Sequence, residues 1–419
     1  MPVKVLIVDD SGFFRNRIEE MLRDDPRLQV VGTAINGREA VEQVKRLKPD
    51  VVTMDVEMPQ MNGIEAVRII MREAPTNVLM LSSLTHEGAR VTLQALEAGA
   101  ADYLPKDIRA WMDKNSGVRG QLIDRLVALG SSRRFRRSSA LERSFPGREQ
   151  PGTTMVFRPD DPAPSRPQRS TSRTPTAGTP STSARSETRS MTAPSTRSVA
   201  TSAPAASTPT AGAAAGNVPA TTPASRVQFP DCKLVVIGAS TGGPAALQKV
   251  LTQLPANYPY PVLLVQHMPK TFTQVFAERL NQQCQIKVKE AEDGDRLQPG
   301  LALLAPGGLQ MMLDPRQKDR VRILTGDERL TYKPSVDVTY ASAAKTYGSK
   351  VLGVILTGMG ADGCDGARLL KQAGAAMWAQ NRDSCTIYGM PQAVVNAGLA
   401  DAILELDDIG PLLAQRGLR

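Results

Sequence analysis

Short runs of Val, Ile and Leu, each stopped by glycine, proline or a polar residue, recur at both ends of this chain and vanish from its middle. Such runs mark strands buried on both faces of a parallel sheet. In the C-terminal half, residues 233–238 (KLVVIG) run into Ser240 and residues 261–266 (PVLLVQ) run into His267. Residues 351–356 (VLGVIL) run into the loop TGMGAD, which ends at Asp362. In an open α/β sheet, ligands bind outside the carboxyl ends of the strands. A serine, a histidine and an aspartate at three such ends point to nucleophilic hydrolysis.

The chain has 419 residues, more than one ordinary core holds, so two domains are expected. What separates them is visible in the charge. Residues 131–228 hold 14 arginines and 5 acidic residues, which accounts for the whole net charge of +9. The segment is dense in Ser, Thr, Pro and Ala and nearly free of large apolar residues after Phe157. It cannot bury enough apolar surface to offset its ordering entropy. The reading is therefore a domain at 1–128, a disordered linker at 129–228 and a second domain at 229–419. The basic excess lacks interleaved aromatics and a helix-turn-helix, so no nucleic-acid partner is expected. No apolar stretch reaches the roughly 18 residues that span a bilayer. The first residues read as a strand and not as a signal peptide, and the scattered Cys232, Cys284, Cys364 and Cys385 read as free thiols. Together these features suggest a cytoplasmic protein without membrane insertion.

In the first domain, strand-like runs at 3–8, 28–32, 50–54, 78–81 and 101–104 alternate with amphipathic stretches, predicting (βα)5 around a parallel sheet. Asp9, Asp10, Asp55, Ser82 and Lys106 all fall at one strand edge. Clustered carboxylates bind a hard divalent cation through oxygen, and a lysine beside them neutralises a transferred phosphoryl group.

In the second domain, residues 238–242 (GASTG) fit G-x-S-x-G between a strand and a helical pattern, which stands a serine exposed at a sheet edge. A phosphate cradle is the rival reading, undercut because no Gly-Lys-Ser/Thr follows. The chain has only two histidines, and His86 falls at the start of a first-domain helix, facing solvent. His267 is left to activate Ser240. Asp362 would orient it, with an N-cap role for Asp362 and the neighbouring Asp365 as competing readings. The order Ser, His, Asp differs from that of α/β-hydrolases, so the motif does not assign that fold. A thiol mechanism at Cys364 is disfavoured, since nothing places it against His267.

The first domain resembles response-regulator receivers over its full length. The resemblance implies Asp55 as phosphoacceptor, and Asp10, Asp55 and the Glu57 carbonyl as Mg²⁺ ligands supported by Asp9. It also implies Ser82 and Tyr103 as the switch pair and Lys106 as the phosphate-facing cation. Asp107 stands where most receivers have proline. The second domain resembles chemotaxis protein-glutamate methylesterases through residues 238–244 (GASTGGP), 265–269 (VQHMP), 334–337 (PSVD), 356–360 (LTGMG) and 388–391 (YGMP), among others. That resemblance implies Ser240 as nucleophile, His267 as general base and then acid, and Asp362 as orienting carboxylate. It implies the Met359 N–H as an oxyanion donor, with Thr241 in support. The implied fold is two doubly wound parallel-sheet α/β domains, a receiver and a Rossmann-like hydrolase, joined by the linker. The implied activities are demethylation of receptor glutamate methyl esters and deamidation of receptor glutamines. The implied partners are methyl-accepting chemotaxis receptors and a histidine kinase, with no cofactor for hydrolysis. A phosphorylation-controlled adaptor without turnover is the competing class.

Overall fold

A computed structural model describes residues 1–113, 116–132 and 221–415. The expected linker falls mostly on residues 133–220, outside them.

The N-terminal elements are β1 (Val3–Val8), α1 (Gly12–Leu22), β2 (Leu28–Ala34), α2 (Gly37–Leu47), β3 (Val51–Asp55), α3 (Gly63–Glu73), β4 (Asn77–Ser82), α4 (His86–Glu97), β5 (Asp102–Pro105), α5 (Ile108–Met112) and α6 (Val118–Ser131). All five strands pair in parallel in the order β2-β1-β3-β4-β5. Every residue of β3 and β4 is buried, as strands covered on both faces require. Helices α2, α3 and α4 start where Asn36, Asn62 and Thr85 accept hydrogen bonds from the N–H groups three residues on. The order reverses between β1 and β3, so the crevice of this sheet opens at Asp9, Asp10 and Asp55. Asp107, the departure from the receiver pattern, caps α5 by accepting from Arg109 N.

The C-terminal elements are β6 (Leu234–Ala239), α7 (Gly243–Leu251), β7 (Val262–Gln266), α8 (Lys270–Gln283), β8 (Lys287–Glu290), β9 (Leu301–Leu304), β10 (Gln310–Leu313), β11 (Val321–Leu324), α9 (Val336–Tyr347), β12 (Val351–Ile355), α10 (Cys364–Gln372), β13 (Ala376–Gln380), α11 (Met390–Asn396), β14 (Ala402–Leu404) and α12 (Leu406–Ala414). Seven strands form a parallel sheet in the order β14-β13-β12-β6-β7-β9-β8, and β10 and β11 form a separate antiparallel pair. The three runs that end in Ser240, His267 and the Asp362 loop are the neighbouring central strands β6, β7 and β12. All three are buried throughout. The switch point lies between β6 and β12, and it collects the three residues at one edge.

Ordered structure extends into the range expected as linker. Helix α6 continues to Ser131, and Asn77 Nδ2 donates to Leu129 O at 2.9 Å. On the far side, Thr222 N donates to Ile403 O at 2.7 Å, tying the returning chain to β14. Among the described residues no helix is long and apolar enough to cross a membrane.

Candidate active site

Ser240 follows β6 in a turn that needs glycine. Gly242 has φ +76° at the N-cap of α7, and its neighbour Thr386 leaves no room for a Cβ. Pro244 sits in the first turn of the helix, where its missing N–H costs nothing. The Ser240 backbone is fixed from both sides, its N–H donating to Thr357 O at 3.0 Å and its carbonyl accepting from Gln266 Nε2 at 3.0 Å. Gly358 lies against the serine, with a built Cβ there only 2.9 Å from Ser240 Cβ.

His267 leaves β7 one residue beyond the Ala239–Gln266 pair, so it stands beside Ser240 across adjacent strands. Its Nε2 is 2.7 Å from Asp362 Oδ2. Its Nδ1 is buried and has no hydrogen-bond partner among the described residues. His267 is thus bonded to Asp362 and not to Ser240.

Asp362 accepts from three further groups: Ser335 Oγ at 2.9 Å, Val336 N at 2.7 Å and Asp337 N at 3.1 Å. Burial works against its charge, but His267 and the backbone donors outweigh burial and hold the carboxyl at about 2. The N-cap of α10 is Gly363, so Asp362 does not play the capping role that competed for it. Asp365 is exposed in the first turn of that helix. Asp337 is pushed up to about 6, by burial first and then by the Asp362 charge, against the pull of the Gly366 N–H. Thr357 N and Gly358 N are spent on Gln380 Oε1 and Ile387 O, while the Met359 amide has no acceptor among the described residues.

In the receiver, Asp9, Asp10 and Asp55 each bring a carboxylate oxygen within 4.8 Å of the others. Lys106 Nζ donates to Asp9 Oδ2 at 2.9 Å and Asp55 Oδ2 at 2.8 Å. The Asp55 carboxyl is raised to about 6, mainly by burial and further by Asp9, with Lys106 opposing. A carboxylate cluster that one lysine does not fully neutralise suits a hard divalent cation. Glu57, Ser82 and Ser83 line the same 340 Å³ cavity. The Ser82 hydroxyl is turned onto Gly88 O at 3.1 Å. His86 is exposed, and none of the four cysteines forms a disulfide.

The two domains are in contact. Asp102 of β5 accepts from Thr241 Oγ1 at 2.8 Å, beside Ser240, and from Arg125 Nη1 at 2.7 Å. The Tyr103 ring stacks on Phe272 of α8, with centroids 4.5 Å apart and planes 10° from parallel. Glu97 of α4 accepts from Arg279 Nε at 2.5 Å and Gln283 Nε2 at 2.9 Å. Ile387 and Met359, which flank the serine loop, pack against apolar residues of the receiver. The expected switch aromatic is therefore buried against the hydrolase and not free at the surface. Phe272, Arg125, Gln310 and Tyr332 carry no sequence signal of this kind, because their neighbours come from distant segments.

A CheB methylesterase model matches residues 235–413, and a response regulator receiver domain model matches residues 5–111. A protein-glutamate methylesterase/protein-glutamine glutaminase of Pseudomonas savastanoi pv. phaseolicola is 55% identical over 99% of both chains. The chain belongs to the protein-glutamate methylesterase/protein-glutamine glutaminase family. A family member from Pseudomonas syringae pv. tomato is 57% identical over 99% of both chains. The crystal structure of the Thermotoga maritima CheB methylesterase catalytic domain covers 44% of this chain and 98% of its own, at 41% identity and a TM-score of 0.42. Family membership fixes the architecture as a phosphorylation receiver joined to a methylesterase domain.

Proposed function

We propose that the chain hydrolyses glutamate methyl esters on methyl-accepting chemotaxis receptors and deamidates receptor glutamines, with Ser240, His267 and Asp362 as its catalytic residues. The observation that carries this reading is the 2.7 Å bond from His267 Nε2 to Asp362, which leaves the unpartnered Nδ1 to act as the basic nitrogen. Ser240 Oγ attacks the side-chain carbonyl while His267 Nδ1 takes its proton. The unspent Met359 N–H receives the oxyanion, and the Thr357 and Thr241 contacts hold its loop in place. His267 then gives the proton to the departing methoxide, which leaves as methanol, or to the amide nitrogen, which leaves as ammonia, and water releases the glutamate by the same route in reverse. Asp362 keeps the imidazole in one tautomer and balances the imidazolium.

Control enters at Asp55, the proposed phosphoacceptor, with Asp10, Asp55 and the Glu57 carbonyl holding Mg²⁺ and Asp9 in support. When bound, the ion would neutralise charge on the phosphoryl group as a histidine kinase or small-molecule donor delivers it. Lys106 then exchanges its carboxylate partners for phosphate oxygens. The unphosphorylated receiver masks the serine loop through Asp102, Tyr103 and Glu97. Phosphorylation loosens that mask, with Ser82 and Tyr103 as the relay.

The test is methanol release from radiolabelled methylated receptors by the full-length protein, with and without a phosphodonor and Mg²⁺. Release that rises on phosphorylation and disappears in Ser240→Ala is the expected result. Absence of release in both states would favour a phosphorylation-controlled adaptor.

A further inference from the structure

Resting on the reading of His267 as the general base, we propose that Tyr332 is a positioning residue for it, fixing the plane of the imidazole and sheltering the imidazolium that forms in turnover. The two rings are stacked, with centroids 4.2 Å apart and planes 7° from parallel. A single hydrogen bond at Nε2 fixes one point of the imidazole and leaves it free to tilt about that line. Nδ1 offers no second anchor, since it has no partner among the described residues. A flat contact across the ring face removes the remaining freedom.

Tyr332 lies between β11 and α9, and a buried side chain from β10 pins it. Gln310 Nε2 donates to Tyr332 O at 2.7 Å, and Gln310 Oε1 accepts from Ser335 N at 2.8 Å. Both ends of the turn are thus held by one amide. The same stretch continues into Ser335, Val336 and Asp337, whose hydroxyl and N–H groups hold Asp362. One segment, residues 332–337, therefore sets both the imidazole plane and the carboxylate. At the far end of the ring, the phenol oxygen abuts Gly360, where a Cβ would come within 2.9 Å of it. Burial raises the phenol pKa, so the ring stays neutral at working pH. Its face then presents the negative part of the aromatic quadrupole to a planar cation.

The experiment compares wild type, Tyr332→Phe and Tyr332→Leu in the full-length, phosphorylated protein. It measures kcat and KM for methanol release and, separately, titrates the histidine side chains by NMR. With only two histidines in the chain, a His86→Gln variant assigns the signals. Tyr332→Phe keeps the ring and is expected to keep kcat within about twofold and the His267 midpoint in place. Tyr332→Leu is expected to lower kcat about tenfold with KM nearly unchanged, and to lower the His267 midpoint by about half a pH unit. An unchanged kcat and midpoint in Tyr332→Leu would overturn the proposal. So would a rise in KM alone, which would make Tyr332 a wall of the substrate groove. If Tyr332→Leu fails to fold, Tyr332→Met is judged by the same criteria. The titration does not depend on turnover: if wild type releases no methanol, the esterase reading fails while the midpoints still decide the stack.

Discussion

Asp362 gathers four hydrogen-bond partners, and each of them needs an acceptor. Asp362→Asn turns one acceptor oxygen into an NH₂ group, which faces donors and favours the wrong imidazole tautomer. The expected loss in kcat is roughly a thousand- to ten-thousandfold, measured as methanol release. Its neighbour Asp337 behaves in the opposite way toward pH. An acid whose folded pKa is raised from 3.8 to about 6 stabilises the fold least when charged. That penalty is absent below about pH 4 and grows as pH rises through 6. Asp337→Asn keeps an oxygen for the Gly366 N–H and is expected to stabilise the protein by about 1 kcal/mol at pH 7.5 after solvent screening. Thermal unfolding at pH 4 and pH 7.5 checks this, with the gain confined to the higher pH. Ser240, His267 and Asp362 were legible because each lies in the loop that follows an apolar run. The groups that hold them were not. Gln310 and Tyr332 act through contacts between segments far apart in sequence, which no local spacing encodes.

At the scale of elements, parallel topology was readable because β3, β4, β6, β7 and β12 are short, mostly apolar runs. The edge strand β8, with sequence KVKE, and the short β10–β11 pair lack that pattern, since one face of each meets solvent or a loop. The contact between α4 and α8 was also invisible, because its polar residues look like ordinary solvated helix faces. Glu97, Arg279 and Gln283 nevertheless join the two domains there. A half-exposed ion pair of this kind contributes up to about 1 kcal/mol. Arg279→Ala is therefore expected to raise the unphosphorylated rate of methanol release by up to about fivefold. The phosphorylated rate, where the contact is already loosened, should not change. Equal effects on both rates would mean that Arg279 acts on the hydrolase alone and not on the mask.

At the scale of the whole molecule, what decides the strength of masking is a competition between the interdomain contacts and the length of chain joining the domains. The contacts form a defined set: the Asp102–Thr241 hydrogen bond, the Tyr103–Phe272 stack and the Glu97 cluster. Both ends of the intervening segment are anchored, at Leu129 on the receiver and at Thr222 on the hydrolase. Residues 133–220 themselves lie outside the described residues, so the expectation for them comes from composition alone. A coil of about ninety residues has an end-to-end distance of roughly 50 Å and a correspondingly low effective concentration of one end at the other. Shortening it raises that concentration without altering any contact. Deletion of most of residues 140–220 is accordingly expected to lower unphosphorylated methanol release and leave the fully phosphorylated rate as it was. Combining the deletion with Arg279→Ala should bring the unphosphorylated rate back up, because the shorter tether then works on a weaker interface. If the deletion leaves both the basal and the phosphorylated rates unchanged, the tether does not set the balance. The interface would then be strong enough to close at any chain length.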